Sequence, residues 1–421
     1  MIALIDCNNF YCSCETVFDP SLQKKPVIVL SNNDGCAIAR SKEAKLLGIK
    51  MAQPAFMAKD LIDKYGIKVF SSNYTLYGDM SQRVINVIKE FIPRTEVYSI
   101  DELFADLSDL KYQDHYILAT EIKEAVNRCT GIPVTIGIGQ TKTIAKLANR
   151  HAKREELKEG VFCAETNEAR IRLLKKSNVG DIWGIGRQLA DLLNQNGIYT
   201  GWDLLNTPEE WVRKNLSVKG QRLLHELKGV PCIEWEEADV KRKNICTSRS
   251  FGKLITTKKE MKQAVATFTF SCAEKLRKEG SCAKKITVFI QTNPHRPLDK
   301  QFFQTITLQL AVATNLSAEL IKSSMKGLDM IFQAGYYYQK AGVVVQELVP
   351  EEQIQLGLFD SMDRAKNRQL MISLDEVNHS FGKGTVRYGV QDYETRWKLK
   401  QEKLSHAFTT KTSELPKAKA N

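Results

Sequence analysis

The sequence predicts a multidomain α+β protein, and three observations carry that expectation. At 421 residues the chain exceeds what a single hydrophobic core ordinarily organises, which brackets it at about two to four domains. From the amino terminus to Gly139, short apolar runs with strand character alternate with segments of helical period, as in a sheet covered by helices. Beyond a stretch of short glycine-separated helices, a second mixture of strands and helix follows, and it is strongly basic.

Residues 2–5 form a continuous apolar run ending in Asp6, which reads as a buried strand with a carboxylate at its tip. Asp19 and Pro20 turn the chain into a second strand over 25–30, stopped by Asn32, Asn33, Asp34 and Gly35. Residues 38–47 have helical period and end at Gly48, a mixed helical and loop stretch runs to about 73, and 77–91 is a helix closed by Pro93. Strands over 97–100 and 103–107 flank Asp101 and Glu102 in the manner of a hairpin. A helix over 117–129 and a strand over 134–139 complete this sheet domain. Past Gly160, short helices separated by glycines run to about Pro231 and form a small helical domain, followed by a charged linker over 232–243. Strands at 286–290, 303–308 and 341–345, with a helix at 261–278, make the basic segment α+β in its turn. From Pro350 the charge is mixed, and the end is a polar, lysine-containing run expected to be disordered.

Composition narrows the class. With 43% hydrophobic and 26% charged residues the chain is of the soluble globular type. It has no apolar run of about 18 residues and no basic leader, so neither a membrane span nor a signal peptide is expected. The ten cysteines contain no Cys-x-x-Cys, which argues against zinc and for reduced, buried thiols in a cytoplasmic protein. Residues 241–350 hold 18 Lys and Arg against 7 Asp and Glu, so they carry +11 of the net +12. A charge excess segregated in this way marks a polyanion-binding surface and favours nucleic acid.

Asp6, Asp101 and Glu102 each lie at a strand end or turn, where one sheet would let them converge. Carboxylates in such a group suit Mg²⁺. Two such ions about 3.5 to 4 Å apart activate a 3′-hydroxyl and stabilise a leaving pyrophosphate. The acidic pair alone would serve equally as an exposed hairpin turn.

The run Tyr98-Ser99-Ile100-Asp101-Glu102-Leu103-Phe104-Ala105-Asp106-Leu107 resembles the catalytic signature of Y-family DNA polymerases, and Ile5-Asp6-Cys7-Asn8-Asn9-Phe10-Tyr11 is similar to that family's first metal-binding strand. The resemblance implies that Asp6, Asp101 and Glu102 hold two Mg²⁺ ions with the Cys7 carbonyl as a further ligand, and that Tyr11 lies beneath the incoming sugar as a gate against ribonucleotides. Residues 137–148 resemble the strand-to-helix element that closes the family's palm, and Lys153 matches the lysine that meets the triphosphate. Arg40 and Lys45 fall in the segment corresponding to the fingers. Lys42 and Lys45 stand there where the family often has Tyr and Arg, a departure shared by UmuC-type members. Gly184, Gly186 and Arg187 look like a helix-hairpin-helix that holds DNA phosphate. Lys241, Arg242 and Lys243 open the basic region, which matches the little finger in position. Gln355, Leu356, Leu358 and Phe359 are similar to a sliding-clamp binding peptide, and 381–385 and 405–410 resemble the UmuC-type carboxy-terminal region.

The resemblance therefore implies a right-hand polymerase. Its parts would be a palm over 1–168 with small fingers inserted at about 13–73, a helical thumb over 169–238, a little finger over 239–349, and a tail over 350–421. It implies error-prone synthesis past damaged bases in the SOS response, with dNTPs as substrate. The implied partners are primer-template DNA, the sliding clamp, a processed UmuD-type dimer and a RecA filament. A two-metal nuclease would share the carboxylates without needing Tyr11 or Lys153, and a non-catalytic DNA-binding subunit would share the fold.

Overall fold

A computed structural model describes residues 1–109, 114–154, 159–236, 242–355, 360, 362–391 and 399–415. The chain divides into two compact units, one of residues 1–239 with 402–421 and one of residues 240–401.

In the first unit, β1 (Ile2–Cys7) is buried along its whole length. Asn9, in left-handed backbone at φ 50°, turns the chain directly into α1 (Phe10–Phe18), a conformation that asparagine tolerates better than most residues. A small sheet follows, built from β2 (Val27–Leu30), β3 (Ala37–Arg40) and β4 (Lys68–Ser71), with α2 (Lys42–Leu46) and α3 (Lys59–Tyr65) between the last two strands. The helix expected over 38–47 is therefore split. Residues 37–40 pair antiparallel with β2, which would otherwise leave that edge open, and Ser41 then caps α2 by accepting from the Ala44 amide. The parallel strand β4 lies inside the stretch read as helix and loop, because four residues are too few to show a period.

Helix α4 (Tyr74–Phe91) begins three residues before the expected start, at an Asn73 side chain that accepts from the Leu76 amide. Then come β5 (Thr95–Val97), β6 (Glu102–Asp106), α5 (His115–Thr130), β7 (Val134–Gly139), α6 (Lys142–Ala152) and β8 (Val161–Ala164). The five-stranded sheet has the order β5-β6-β1-β7-β8, which places β1 at its centre. The hairpin is present with a wider turn than expected, and the Ser99 hydroxyl accepts from the amides of Asp101 and Glu102 across it. Strand β8 runs parallel to β7 just where short helices were expected to begin. Helix α6 packs so closely on β7 that a Cβ at Gly137 would lie 2.0 Å from the Asn149 nitrogen. Helices α7 (Asn167–Lys176), α8 (Arg187–Gln195), α9 (Gly201–Leu205) and α10 (Glu209–Leu227) gather around Leu174, Leu193, Leu204 and Leu224, as the helical reading anticipated.

The second unit is an antiparallel sheet of order β11-β10-β12-β9, formed by β9 (Asn244–Ile255), β10 (Ser281–Thr292), β11 (Phe303–Thr314) and β12 (Tyr338–Pro350). Helices α11 (Lys258–Lys278) and α12 (Ser317–Ile331) join its apolar face in one core that includes Val265, Phe268, Ile286, Val288, Leu328 and Val343. Neither β9, which follows the linker expected over 232–243, nor α12 is among the elements expected from sequence. Helix α13 (Arg364–Ser380) lies in the tail, and Arg277 grips its Asp375 with two hydrogen bonds of 2.6 and 2.8 Å. Residues 402–415 return to the first unit, where Lys403 O accepts from the Ser71 amide at 2.9 Å. Residues 416–421, at the end of the chain where the polar, lysine-containing run was expected to be disordered, lie outside the described residues.

Candidate active site

A cleft of about 1150 Å³ opens in the first unit, and its lining includes Asp6, Cys7, Asp101 and Glu102 together with Arg40, Lys42, Lys45 and Lys153. Sheet register brings the acids together. Asp6 on β1 lies opposite Glu102 on β6 and Thr135 on β7, and the Cys7 amide donates to the Asp101 carbonyl at 2.9 Å.

Each acid is already answered by a donor. Lys153 Nζ lies 2.5 Å from Asp6, Lys146 Nζ donates to both Glu102 oxygens at 3.0 and 2.8 Å, and the Ser99 hydroxyl donates to Asp101 at 2.6 Å. Burial lifts the Asp6 carboxyl to about 6 against the pull of Lys153, and the charges of Glu102 and Asp101 push the same way as burial. Burial pushes the Cys7 thiol far up as well. Among the described residues no three His, Cys, Asp or Glu side chains stand as a ready-made metal cage.

Tyr11, the second residue of α1, stacks on Tyr77 with centroids 4.4 Å apart and planes 14° apart, and meets the edge of Tyr74 at 5.9 Å. It lines the cleft, and burial raises its hydroxyl to about 12. Arg40 donates through Nη1 to Ile49 O at 2.7 Å, while its buried Nε has no hydrogen-bond partner among the described residues. Lys45 Nζ donates to Asn9 Oδ1 at 2.5 Å, and burial with the neighbouring Arg40 and Lys153 charges lowers its pKa.

Two lysines were missed by the sequence reading, although their four-residue spacing on α6 was a visible signal. Lys146 holds Glu102 and lies over the Tyr98 ring at 4.4 Å. Lys142 is fully buried, 2.6 Å from Glu96, donating to Glu234 O at 2.8 Å and set 4.8 Å over the Trp235 ring.

The remaining residues named from sequence lie outside the cleft lining. Gly184 (φ 93°) and Gly186 form the turn before α8, with Gly186 at its N-cap and no side-chain cap there among the described residues. Arg187 is exposed, 4.0 Å from Asp191. In the second unit Arg242 pairs with Glu279 at 3.2 Å and Lys243 is exposed ahead of β9. Gln355 is exposed shortly after β12. Lys241, Leu356, Leu358 and Phe359 lie outside the described residues.

Among known families, residues 5–150 match the impB/mucB/samB family, 242–358 match that family's C-terminal domain, and 368–418 match a domain of unknown function, DUF4113. The chain is 42% identical over 422 residues to Protein UmuC of Salmonella typhimurium, covering all of both chains. It is 25% identical over 406 residues to DNA polymerase IV of Bacillus velezensis, covering 91% of each. A solved Y-family DNA polymerase chimera superimposes with a TM-score of 0.68 at 19% identity, over 83% of this chain and 99% of that one. The fold is thus the Y-family right hand, with palm, small fingers, helical thumb and α+β little finger. On the strength of full-length identity and of both domain matches, the chain belongs to the impB/mucB/samB family.

Proposed function

We propose that the cleft carries out template-directed nucleotidyl transfer, with Asp6, Asp101 and Glu102 as its catalytic acids. The chain is an error-prone Y-family DNA polymerase that synthesises past damaged template bases in the DNA damage response. One observation carries this reading: Asp6, Asp101 and Glu102, gathered where β1 pairs with β6, line the same cleft as Arg40, Lys45 and Lys153. That polarity suits a substrate that brings both cations and phosphates.

The donor set fits Mg²⁺. It consists of hard oxygens, and in the free protein two ammonium groups stand against them where cations would. Asp6, Asp101, Glu102 and the Cys7 carbonyl would hold two Mg²⁺ ions, which supply activation of the primer 3′-hydroxyl and neutralisation of the leaving pyrophosphate. Lys153, Lys45 and Arg40 bind the triphosphate. The unpartnered Arg40 Nε supports this, since a buried donor without an acceptor is costly and an anion oxygen would satisfy it. Tyr11, held flat on Tyr77, forms the floor beneath the sugar and excludes a 2′-hydroxyl.

The palm is assigned to 1–168 with fingers at about 13–73, the thumb to 169–238, the little finger to 239–349 and the tail to 350–421. Primer-template DNA is held by the uncapped start of α8 at Gly184, Gly186 and Arg187, and by the basic second unit from Lys241, Arg242 and Lys243 onward. Gln355 with Leu356, Leu358 and Phe359 serves as the sliding-clamp peptide. The UmuD-type dimer and the RecA filament are assigned by resemblance. No helix among the described residues is long and apolar enough to cross a membrane, and we place the protein in the cytoplasm.

The test is primer extension on an abasic template with Mg²⁺, dNTPs, clamp, accessory dimer and RecA filament, comparing the native chain with Asp101→Ala. Extension past the lesion by the native chain alone is the expected result. Failure of both with DNA binding intact would leave only a regulatory role. Release of nucleotides from DNA without dNTPs would instead mark a nuclease.

A further inference from the structure

The carboxy-terminal segment over 402–415 falls in the part of the chain whose family match carries no function, and it reaches the cleft through a short chain of contacts. Tyr77, on which Tyr11 lies, is fully buried, so the position of its ring fixes that of Tyr11. The Tyr77 hydroxyl donates to Glu15 Oε1 at 2.6 Å. Glu15 lies on α1 one turn beyond Tyr11 and is only 2% exposed. The same carboxylate oxygen accepts a second hydrogen bond at 3.0 Å, from the hydroxyl of Ser405, 390 residues away in sequence. A buried carboxylate answered by two hydroxyls rather than a cation is an expensive arrangement, and burial pushes its carboxyl up accordingly.

The segment also grips the elements around this pair. Asn73 Nδ2 donates to Ser405 O, Ser405 Oγ and His406 O at 3.3, 3.1 and 3.2 Å, while its Oδ1 caps α4, the helix that carries Tyr74 and Tyr77. Phe408 stacks on Phe18 at the end of α1, with centroids 4.8 Å apart and planes 6° apart. The Lys403 amide donates to Ser71 Oγ at 3.0 Å, and the Glu402 amide donates to Asp34 Oδ2 at 3.0 Å. The tail segment is thus fastened to both helices that hold the aromatic floor of the cleft. A segment serving only to cover the surface would need Phe408 on Phe18, but it would have no use for a hydroxyl on the carboxylate that holds Tyr77.

We propose that residues 402–408 position the nucleotide floor, with Ser405 acting through Glu15 and Tyr77 to set the Tyr11 ring beneath the incoming sugar and so to tune discrimination between deoxyribo- and ribonucleotides. This rests on the reading of Tyr11 as the sugar-facing residue. Ser405, Glu15 and Tyr77 are positioning residues in this scheme. Loosening them lets the Tyr11 ring shift and relaxes exclusion of the 2′-hydroxyl, while the triphosphate contacts stay in place.

The experiment is single-nucleotide insertion opposite template G by the full chain with its partners, measuring kcat and KM for dCTP and for CTP. Ser405→Ala is expected to lower the dCTP-to-CTP ratio of kcat/KM by about three- to tenfold, the size of one ordinary lost hydrogen bond. Ser405→Thr, which keeps the hydroxyl, is expected to retain the native ratio. Tyr77→Phe should reproduce the loss, and the double variant should be no worse than Tyr77→Phe alone. Phe408→Leu, loosening the segment elsewhere, should move the ratio the same way. Equal proportional losses on dCTP and CTP in the tail variants would mark the segment as purely structural and overturn the proposal. So would matching behaviour of Ser405→Ala and Ser405→Thr, or an unchanged ratio in Ser405→Ala while Tyr11→Ala has lost it. If Tyr11→Ala itself leaves the ratio intact, the gate reading fails and the proposal falls with it, a result distinct from the others.

Discussion

The two units bury very different things. Among the described residues, every deeply buried charged side chain belongs to the first unit: Asp6, Glu15, Glu96, Asp106, Lys142 and Glu226. The buried polar side chains of the second unit, among them Gln263, Thr269, Asn315 and Asn378, are all uncharged. Desolvating a charge is costly unless it is paired, so a unit that does so repeatedly is arranged around something other than its own stability. The second unit keeps its basic excess at the surface, where it costs little and remains free to meet phosphate.

The comparison breaks most easily at its acids. Asp101→Ala should abolish extension, lowering kcat on the order of 10³-fold or more while DNA affinity holds, as measured by single-turnover insertion. If insertion survives, Asp101 is not a catalytic acid and the cleft loses its proposed chemistry. Lys142→Ala should destabilise by about 3 to 5 kcal/mol, because the buried Glu96 loses its cation and keeps the Glu236 amide as donor. A matched change in the second unit, Lys340→Ala at a partly exposed strand position, should cost under about 0.5 kcal/mol. Urea unfolding of the two variants gives both figures, and similar costs would erase the contrast. The smallest effect is on binding: each of Arg242→Ala and Lys243→Ala should flatten the slope of log K against log salt by up to about 0.9, equally on all sequences. A sequence-dependent change would mean that these residues read bases.

The acids were legible in sequence because strand tips are legible. Apolar runs end at Asp6 and flank Asp101 and Glu102, and once three strands are assigned to one sheet their convergence follows. Strands β4 and β8 were not, since four residues carry no usable period and their place is set by a parallel neighbour. The partners of the acids were only half legible. Lys153 came from resemblance, while Lys146 and Lys142 have the same local sequence character and differ only in what lies across the fold, Glu102 for one and Glu96 for the other. No local pattern announces that Ser405 will complete the environment of Glu15.

The distance in sequence between Glu15 and Ser405 also has a meaning in time. A ribosome adding about 5 to 20 residues per second separates the emergence of these two residues by roughly 20 to 80 seconds. For the later part of that interval, once Tyr77 and the strand that begins at Glu102 have also emerged, the Glu15 carboxylate can have the Tyr77 hydroxyl and still lacks its second donor. The chain therefore acquires its acids early and the last fastening of its nucleotide floor almost at the end of translation.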